Sequence, residues 1–339
     1  MSAPQSLTPP PSSRVPAGRL RSIRVKAAWV PVLAAVVILV GMLIAAQLYF
    51  GRFITPRIVS SLFVDNAYLI VLAAGMTFVI LSGGIDLSVG AVMAFTGMLC
   101  AKLLVSGVPT LVVVPTVIVA GALFGLIIGV MVHFFNVQPF IASLAGMFLA
   151  RGLSFVVSLQ AIQVKDPVIL GLQSVKLGTY EWYLTPTVTI ALLVIVVAAW
   201  ILGYTRFGRT VYAIGGNENS TRLMGLPVAR AKVLVYVISG ISAAIAGLVF
   251  TSYTAAGYSL NGIGTELDAI AAVVIGGTLL TGGSGYAIGS LIGVLVYGVI
   301  KVSITFLGAE SSWTRITIGG LLLAFVVVQR VIVRRAGRR

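Results

Sequence analysis

The chain has 339 residues, 59% hydrophobic and only 9% charged, with 23 Lys and Arg against 8 Asp and Glu. About a quarter of a soluble domain's residues carry charge, so this chain has too little polar surface to cover a globule in water, and the bilayer is its solvent. The basic excess fits the concentration of Lys and Arg in cytoplasmic loops and gives no independent reason to invoke nucleic acid.

Residues 1–26, MSAPQSLTPPPSSRVPAGRLRSIRVK, are rich in Pro and Ser and then basic. They read as a disordered cytoplasmic tail that ends in a membrane-surface anchor. A cleaved secretory signal has an apolar core of about 7–15 residues. The 27–50 run exceeds that and is expected to be a retained first span. Further spans of the roughly 20 apolar residues a bilayer requires are expected near 60–82, 86–106, 110–134, 139–159, 185–204, 232–253, 266–281, 287–307 and 315–333. The fold class is therefore all-α, a polytopic helical bundle of about ten transmembrane helices.

Orientation follows from three basic clusters. They are Arg14, Arg19, Arg21, Arg24 and Lys26 in the tail, Arg206, Arg209, Arg222, Arg230 and Lys232 in the 205–232 connector, and Arg330, Arg334, Arg335, Arg338 and Arg339 at the end. Six spans before the connector and four after it keep all three on one side, so both termini are expected in the cytoplasm. The organisation is a permease domain over 27–333, interrupted by the 205–232 loop and followed by a basic C-terminus, 334–339. Gly121, Gly125 and Gly129, and likewise Gly285, Gly289 and Gly293, recur every fourth residue. Such stripes let helix backbones approach closely, within the bundle or at a subunit interface.

Polar residues inside apolar runs are the candidates for function. In ILSGGIDLSVGAV (80–92), Gly83 and Gly84 break a helix and Asp86 is placed to cap the next, with Ser88 in its first turn. The alternative sets Asp86 and Ser88 on a translocation pathway, where broken helices expose polar groups. Arg151 is a second intramembrane charge, held by structure or donating to a passing substrate. Asp65, Asn66, Asn261, Glu266 and Asp268 are further candidate pathway residues, or solvated interface groups. Glu266 and Asp268, two residues apart, do not share a helix face.

No catalytic constellation is present. A Gly-Lys dipeptide, and with it the phosphate-binding loop, is absent, as are the dinucleotide and nucleophile-elbow patterns. With one histidine (His133) and one cysteine (Cys100) there is no internal disulfide and no metal cluster to propose; no cofactor is implied. Any ATP energy must come from another subunit. The soluble-looking stretch 206–232 offers a turn at Gly215-Gly216 and caps at Asn217, Asn219 or Ser220. Glu218 suits a first turn, Gly225 a stop and Pro227 a breaker. A capped helix of about two turns on the cytoplasmic face suits a partner's groove.

Three stretches carry a family resemblance: GMTFVILSGGIDLSVGAVMAFTGM (75–98), GRTVYAIGGNENSTRLMGLPVARAK (208–232) and ELDAIAAVVIGGTLLTGGSGYAIGSLIGVLVYGVI (266–300). They resemble the membrane permeases of ribose-type sugar ABC importers and, within that family, look most like galactofuranose-transport permeases of Gram-negative bacteria. The resemblance covers about residues 30–330. It implies a multi-pass protein of the bacterial inner membrane that is not an enzyme. The implied partners are a cytoplasmic ATP-binding subunit, a second permease subunit (identical or paralogous), a periplasmic sugar-binding protein and membrane lipid, with no nucleic acid. It also implies that 208–232 couples to the ATPase through Arg209, Gly215, Gly216, Asn217, Glu218, Arg222 and Gly225. A self-sufficient secondary carrier, with only Asp86 as a midplane carboxylate, and a membrane-embedded enzyme are the competing classes.

Overall fold

Apolar runs punctuated by Gly and Pro become helices in the order the sequence sets. A computed structural model describes residues 18–179 and 182–336. In chain order the helices are α1 (Gly18–Phe50), α2 (Pro56–Val64), α3 (Ala67–Leu81), α4 (Val89–Val105), α5 (Thr110–Phe134), α6 (Pro139–Val157) and α7 (Pro167–Ser174). They continue with α8 (Pro186–Tyr204), α9 (Arg206–Gly216), α10 (Glu218–Leu223), α11 (Val228–Thr254), α12 (Thr265–Ile275), α13 (Ala287–Phe306) and α14 (Ser311–Ala336). Four two-residue strands complete the description: β1 (Ile162–Gln163) pairs antiparallel with β4 (Ala256–Gly257), and β2 (Leu177–Gly178) with β3 (Tyr183–Leu184).

Among the described residues six helices are long and apolar enough to cross a membrane, and the α2–α3 pair, bent by 52°, makes a seventh when counted as one span. The expected ten spans are corrected at two places. The 60–82 span is this bent pair, and the 266–281 span is α12, of only 11 residues, whereas α4 has 17, at the short end of the spanning range, and α14 runs through the expected 315–333 span. At 1.5 Å per residue α12 reaches about 17 Å, half a bilayer core. The helix expected to start at residue 27 already runs from Gly18, so residues 18–26 of the expected tail are helical. Residues 1–17 and 337–339 lie outside the described residues.

The centre of the bundle is α3, buried along its whole length. A helix that is apolar on every side is either interior or solvated by lipid, and the burial of α3 makes it the former. Around it pack α11, α8, α12 and α13, and α11 also carries α5 and α4. The first glycine stripe is internal packing. A Cβ on Gly121 would strike the Gly240 carbonyl of α11, and one on Gly125 the Tyr236 carbonyl. In the second stripe Gly289 and Gly293 meet Gly276 and Ala272 of α12 in the same way, but Gly285 precedes α13. Large apolar side chains remain exposed on α1, α5, α6 and α8, the outward faces of a bundle solvated by lipid.

Candidate functional site: a capped arm, two broken spans and a carboxylate–phenol group

The 205–227 arm is built by local rules. Thr205 caps α9, its hydroxyl accepting from the Gly208 amide at 3.0 Å, and Asn217 caps α10 by accepting from Ser220 at 2.8 Å. The six-residue α10 ends where Gly225 turns left-handed (φ +75°), with its amide on Arg222 and that of Leu226 on Thr221. Glycine is the residue that takes this conformation without strain. Glu218 in the first turn pairs with Lys232 of α11 at 2.6 Å and with Arg222 at 3.3 Å. The first pair is the more buried and ties α10 to the bundle. Beyond the last turn the tip presents Leu223, 90% exposed, and Met224, 66% exposed. Two apolar residues in a short loop carry no periodic signal, so nothing local in the sequence singles these side chains out.

Gly215 and Gly216 are not the flexible turn expected of them. They form the last turn of α9, and a Cβ on Gly215 would strike the Leu81 carbonyl and the Gly283 amide. Arg209 lies on the same helix beside a cavity of about 590 Å³ shared with Arg206, Phe207 and Arg230. Further along α9, Tyr212 donates its hydroxyl to the Gly285 carbonyl at 2.7 Å. Burial, helped by Tyr286, pushes this phenol up to about 12, so it donates as a neutral group.

Two spans break inside the bundle. The α3 helix stops at Gly83 (φ +81°), with the amides of Gly83 and Gly84 returning to Ile80 and Val79. The α12 helix stops in the same manner at Gly277 (φ +95°), the amides of Gly277 and Thr278 returning to Val274 and Val273. Asp86 is 1% exposed. One carboxylate oxygen accepts from the Ser88 amide at 2.9 Å and its hydroxyl at 2.6 Å, and the other from the Ser239 hydroxyl of α11 at 2.7 Å. Ser88 thus precedes α4 and does not sit in its first turn, and Asp86 fastens the broken segment to α11 as well as closing the turn. Ser239 lies in a small-residue run that gave no hint of this partner.

The chain between β4 and α12 runs back along α4. Gly257 packs on Ala101 and Gly97, Gly262 on Met93 and Gly90, and the Glu266 carboxylate reaches Gly90. The N-termini of α4 and α12 therefore meet inside the bundle, and each favours negative charge nearby. Arg151, midway along α6, holds this returning segment by donating to the carbonyls of Ser259 at 2.5 Å and Asn261 at 2.8 Å. Arg151, Asn261 and Glu266 are thus brought together.

Asp65, Asn66 and Asp268 belong to another group. Tyr253 donates to Asp65 at 3.2 Å and Tyr297 to Asp268 at 3.1 Å. Tyr68 lies within electrostatic reach of both carboxylates and stacks edge-on against Phe250. Asn66 is not solvated: it is 1% exposed, donates to the Leu62 carbonyl at 2.8 Å in the α2–α3 bend, and lies against Gly298 of α13. Asp268 and Tyr297 also line a cavity of about 550 Å³ with Lys301, Thr305, Thr314 and Arg315. The phenols of this group were not anticipated, since Tyr68, Tyr253 and Tyr297 lie on three different helices far apart in the chain.

Glycine-broken spans joined to a capped, apolar-tipped arm define a polytopic transport subunit. Residues 58–326 match the family described as "Branched-chain amino acid transport system / permease component", and the chain belongs to that family. It is 44% identical over 316 residues to the Fructose import permease protein FruG of Bifidobacterium longum, covering 91% of this chain and 93% of that one. It is also 44% identical over 305 residues to the Inner membrane ABC transporter permease protein YjfF of Escherichia coli, covering 86% and 91%. To the Ribose import permease protein RbsC of Haemophilus influenzae it is 40% identical over 263 residues, covering 76% and 80%. No solved structure matches the chain. The chain is thus a permease of the sugar ABC importer class, an inner-membrane transport subunit without an ATPase site of its own.

Proposed function

We propose that this chain carries a monosaccharide, galactofuranose or a related sugar, across the bacterial inner membrane as one half of a two-permease pathway. Hydrolysis is supplied by a cytoplasmic ATP-binding subunit docked on α10, and sugar by a periplasmic binding protein. The observation that carries this reading is the exposed Leu223–Met224 tip on a helix capped at both ends. Two apolar side chains on a rigid, polar arm suit a partner's groove. The end of the bundle bearing α10 faces the cytoplasm in this reading, in keeping with its arginines. Arg222, Asn217, Glu218 and Gly225 shape the docking helix.

The pathway enters at the polar outer end and passes the meeting helix N-termini. Dipole ends and carboxylates there hold hydroxyl groups briefly, as half-helices do in other carriers. Asp65, Glu266 and Asp268 are the acceptors in this reading, and Arg151 and Asn261 shape the segment beside them. Asp86, Ser88 and Asn66 serve it indirectly, by fixing the broken segments. A second sugar assignment has a specific observation in its favour: the relative named for fructose is 44% identical over 91% of this chain. Fructose, ribose or xylose would need no different machinery.

The test has two parts. Leu223→Asp combined with Met224→Asp is expected to leave the permease in the membrane and to abolish copurification of the ATPase subunit. Undiminished copurification would refute the docking assignment. Uptake of labelled galactofuranose, fructose, ribose and xylose by cells carrying the full system then assigns the sugar.

A further inference from the structure

Three Gly-Gly pairs from distant parts of the chain, Gly83-Gly84, Gly215-Gly216 and Gly282-Gly283, meet at one point. The Gly283 amide donates to the Leu81 carbonyl at 2.9 Å. A Cβ on Gly215 would strike both of those atoms. One on Gly282 would lie 2.8 Å from the Gly83 nitrogen and 3.0 Å from the Gly215 Cα, and one on Gly283 would lie 2.9 Å from the Gly216 nitrogen. Gly83, Gly282 and Gly283 also have φ of +81°, +82° and +73°, so side chains are excluded by conformation as well as by space. Two more contacts tie the same helix to the same two segments: Phe207 stacks on Phe78 of α3 with centroids 6.2 Å apart, and Tyr212 donates to Gly285.

We infer that these glycine pairs form a rigid joint through which displacement of α10 reaches both broken spans, with Gly215 as its positioning residue. The inference rests on the docking role proposed for α10. Backbone packed directly on backbone leaves no side-chain rotamers to absorb a displacement, and close-packed interiors transmit strain. The α9 helix is joined to α10 through the single residue Asn217, so the joint at Gly215-Gly216 lies directly beside α10 and no flexible segment separates the two. The load falls on the end of α3, which leads to Asp86, and on the 276–286 segment, which leads back to α12 and its Glu266–Gly90 contact.

Gly215→Ala, assembled with its ATPase and binding protein in proteoliposomes, is expected to keep its ATPase subunits bound while sugar moved per ATP hydrolysed falls about tenfold. Tyr212→Phe removes one hydrogen bond without adding bulk and is expected to lower the same ratio about fivefold. Gly203→Ala, where a methyl meets nothing within 4 Å, keeps the wild-type ratio. A wild-type ratio in both Gly215→Ala and Tyr212→Phe overturns the joint, whereas a wild-type permease that never recruits the ATPase overturns the docking role beneath it. If Gly215→Ala does not reach the membrane, hydrogen exchange on the wild-type complex decides. The Gly283 amide stays protected with and without ATP if the joint moves as one body, and rapid exchange in either state overturns it.

Discussion

The Ser239 hydroxyl on α11 donates to the Asp86 carboxylate at 2.7 Å, fastening the broken segment to a residue 153 positions further along the chain. A buried carboxylate with three donors is a structural clamp, and its value lies in the groups it keeps satisfied. Asp86→Asn retains an acceptor for the Ser88 amide and can donate to Ser239, so a stability loss of under about 1 kcal/mol is expected. Asp86→Ala strands the Ser88 amide and both hydroxyls, at about 1–3 kcal/mol for each group left unpaired. Thermal unfolding in detergent measures the difference. An Asp86→Asn protein as unstable as Asp86→Ala would show that the charge itself is required.

Arg151 presents the same logic with donor and acceptor exchanged. Its guanidinium holds two carbonyls of the segment that leads into α12, and a hydrogen bond to a charged group contributes about 1.5–3 kcal/mol. Arg151→Met is expected to loosen residues 258–264 while the rest of the bundle persists. Amide exchange should rise in that segment by one or more orders of magnitude, with Arg151→Lys intermediate. Unchanged exchange would remove Arg151 from this role.

The α5–α11 seam tests the packing. Gly125→Val must push α5 away from the Tyr236 carbonyl, and overpacking of this kind costs about 1–3 kcal/mol. Gly152→Val, on α6 with open space around it, is expected to lose nothing and to gain a few tenths of a kcal/mol, roughly the helix propensity by which Val exceeds Gly. The comparison of melting temperatures for the two variants decides whether the stripe matters for contact or only for composition.

Sidedness is tested at Ser220, an exposed position on α10. In a Cys100→Ser background, Ser220→Cys is expected to resist an impermeant maleimide in intact cells and to react in inverted vesicles. Cys100 itself is fully buried, so it is shielded from the reagent, and its replacement removes any residual background. Labelling in intact cells would reverse the orientation and detach α10 from any cytoplasmic ATPase.

Features governed by neighbouring residues were legible in the sequence. Apolar runs gave the helices, Asn217 and Gly225 gave the ends of α10, and Gly83-Gly84 gave the break after α3. In each case the deciding hydrogen bond spans only a few residues, as from Gly84 to Val79 or from Ser220 to Asn217. Hydropathy, however, registers only that a run is apolar, and it counts α12 as a span although its 11 residues are too short to cross alone. The segment that leads into α12 returns along α4, held by Arg151 across 108 and 110 residues. The tertiary structure likewise decided what Gly215 is for. The dipeptide reads locally as a flexible turn, but the backbones of Leu81 and Gly283, brought in from opposite ends of the chain, leave it no room to be one. Short-range signals fix where a helix can begin and end, whereas the side of a glycine on which another backbone arrives depends on contacts that no local pattern records.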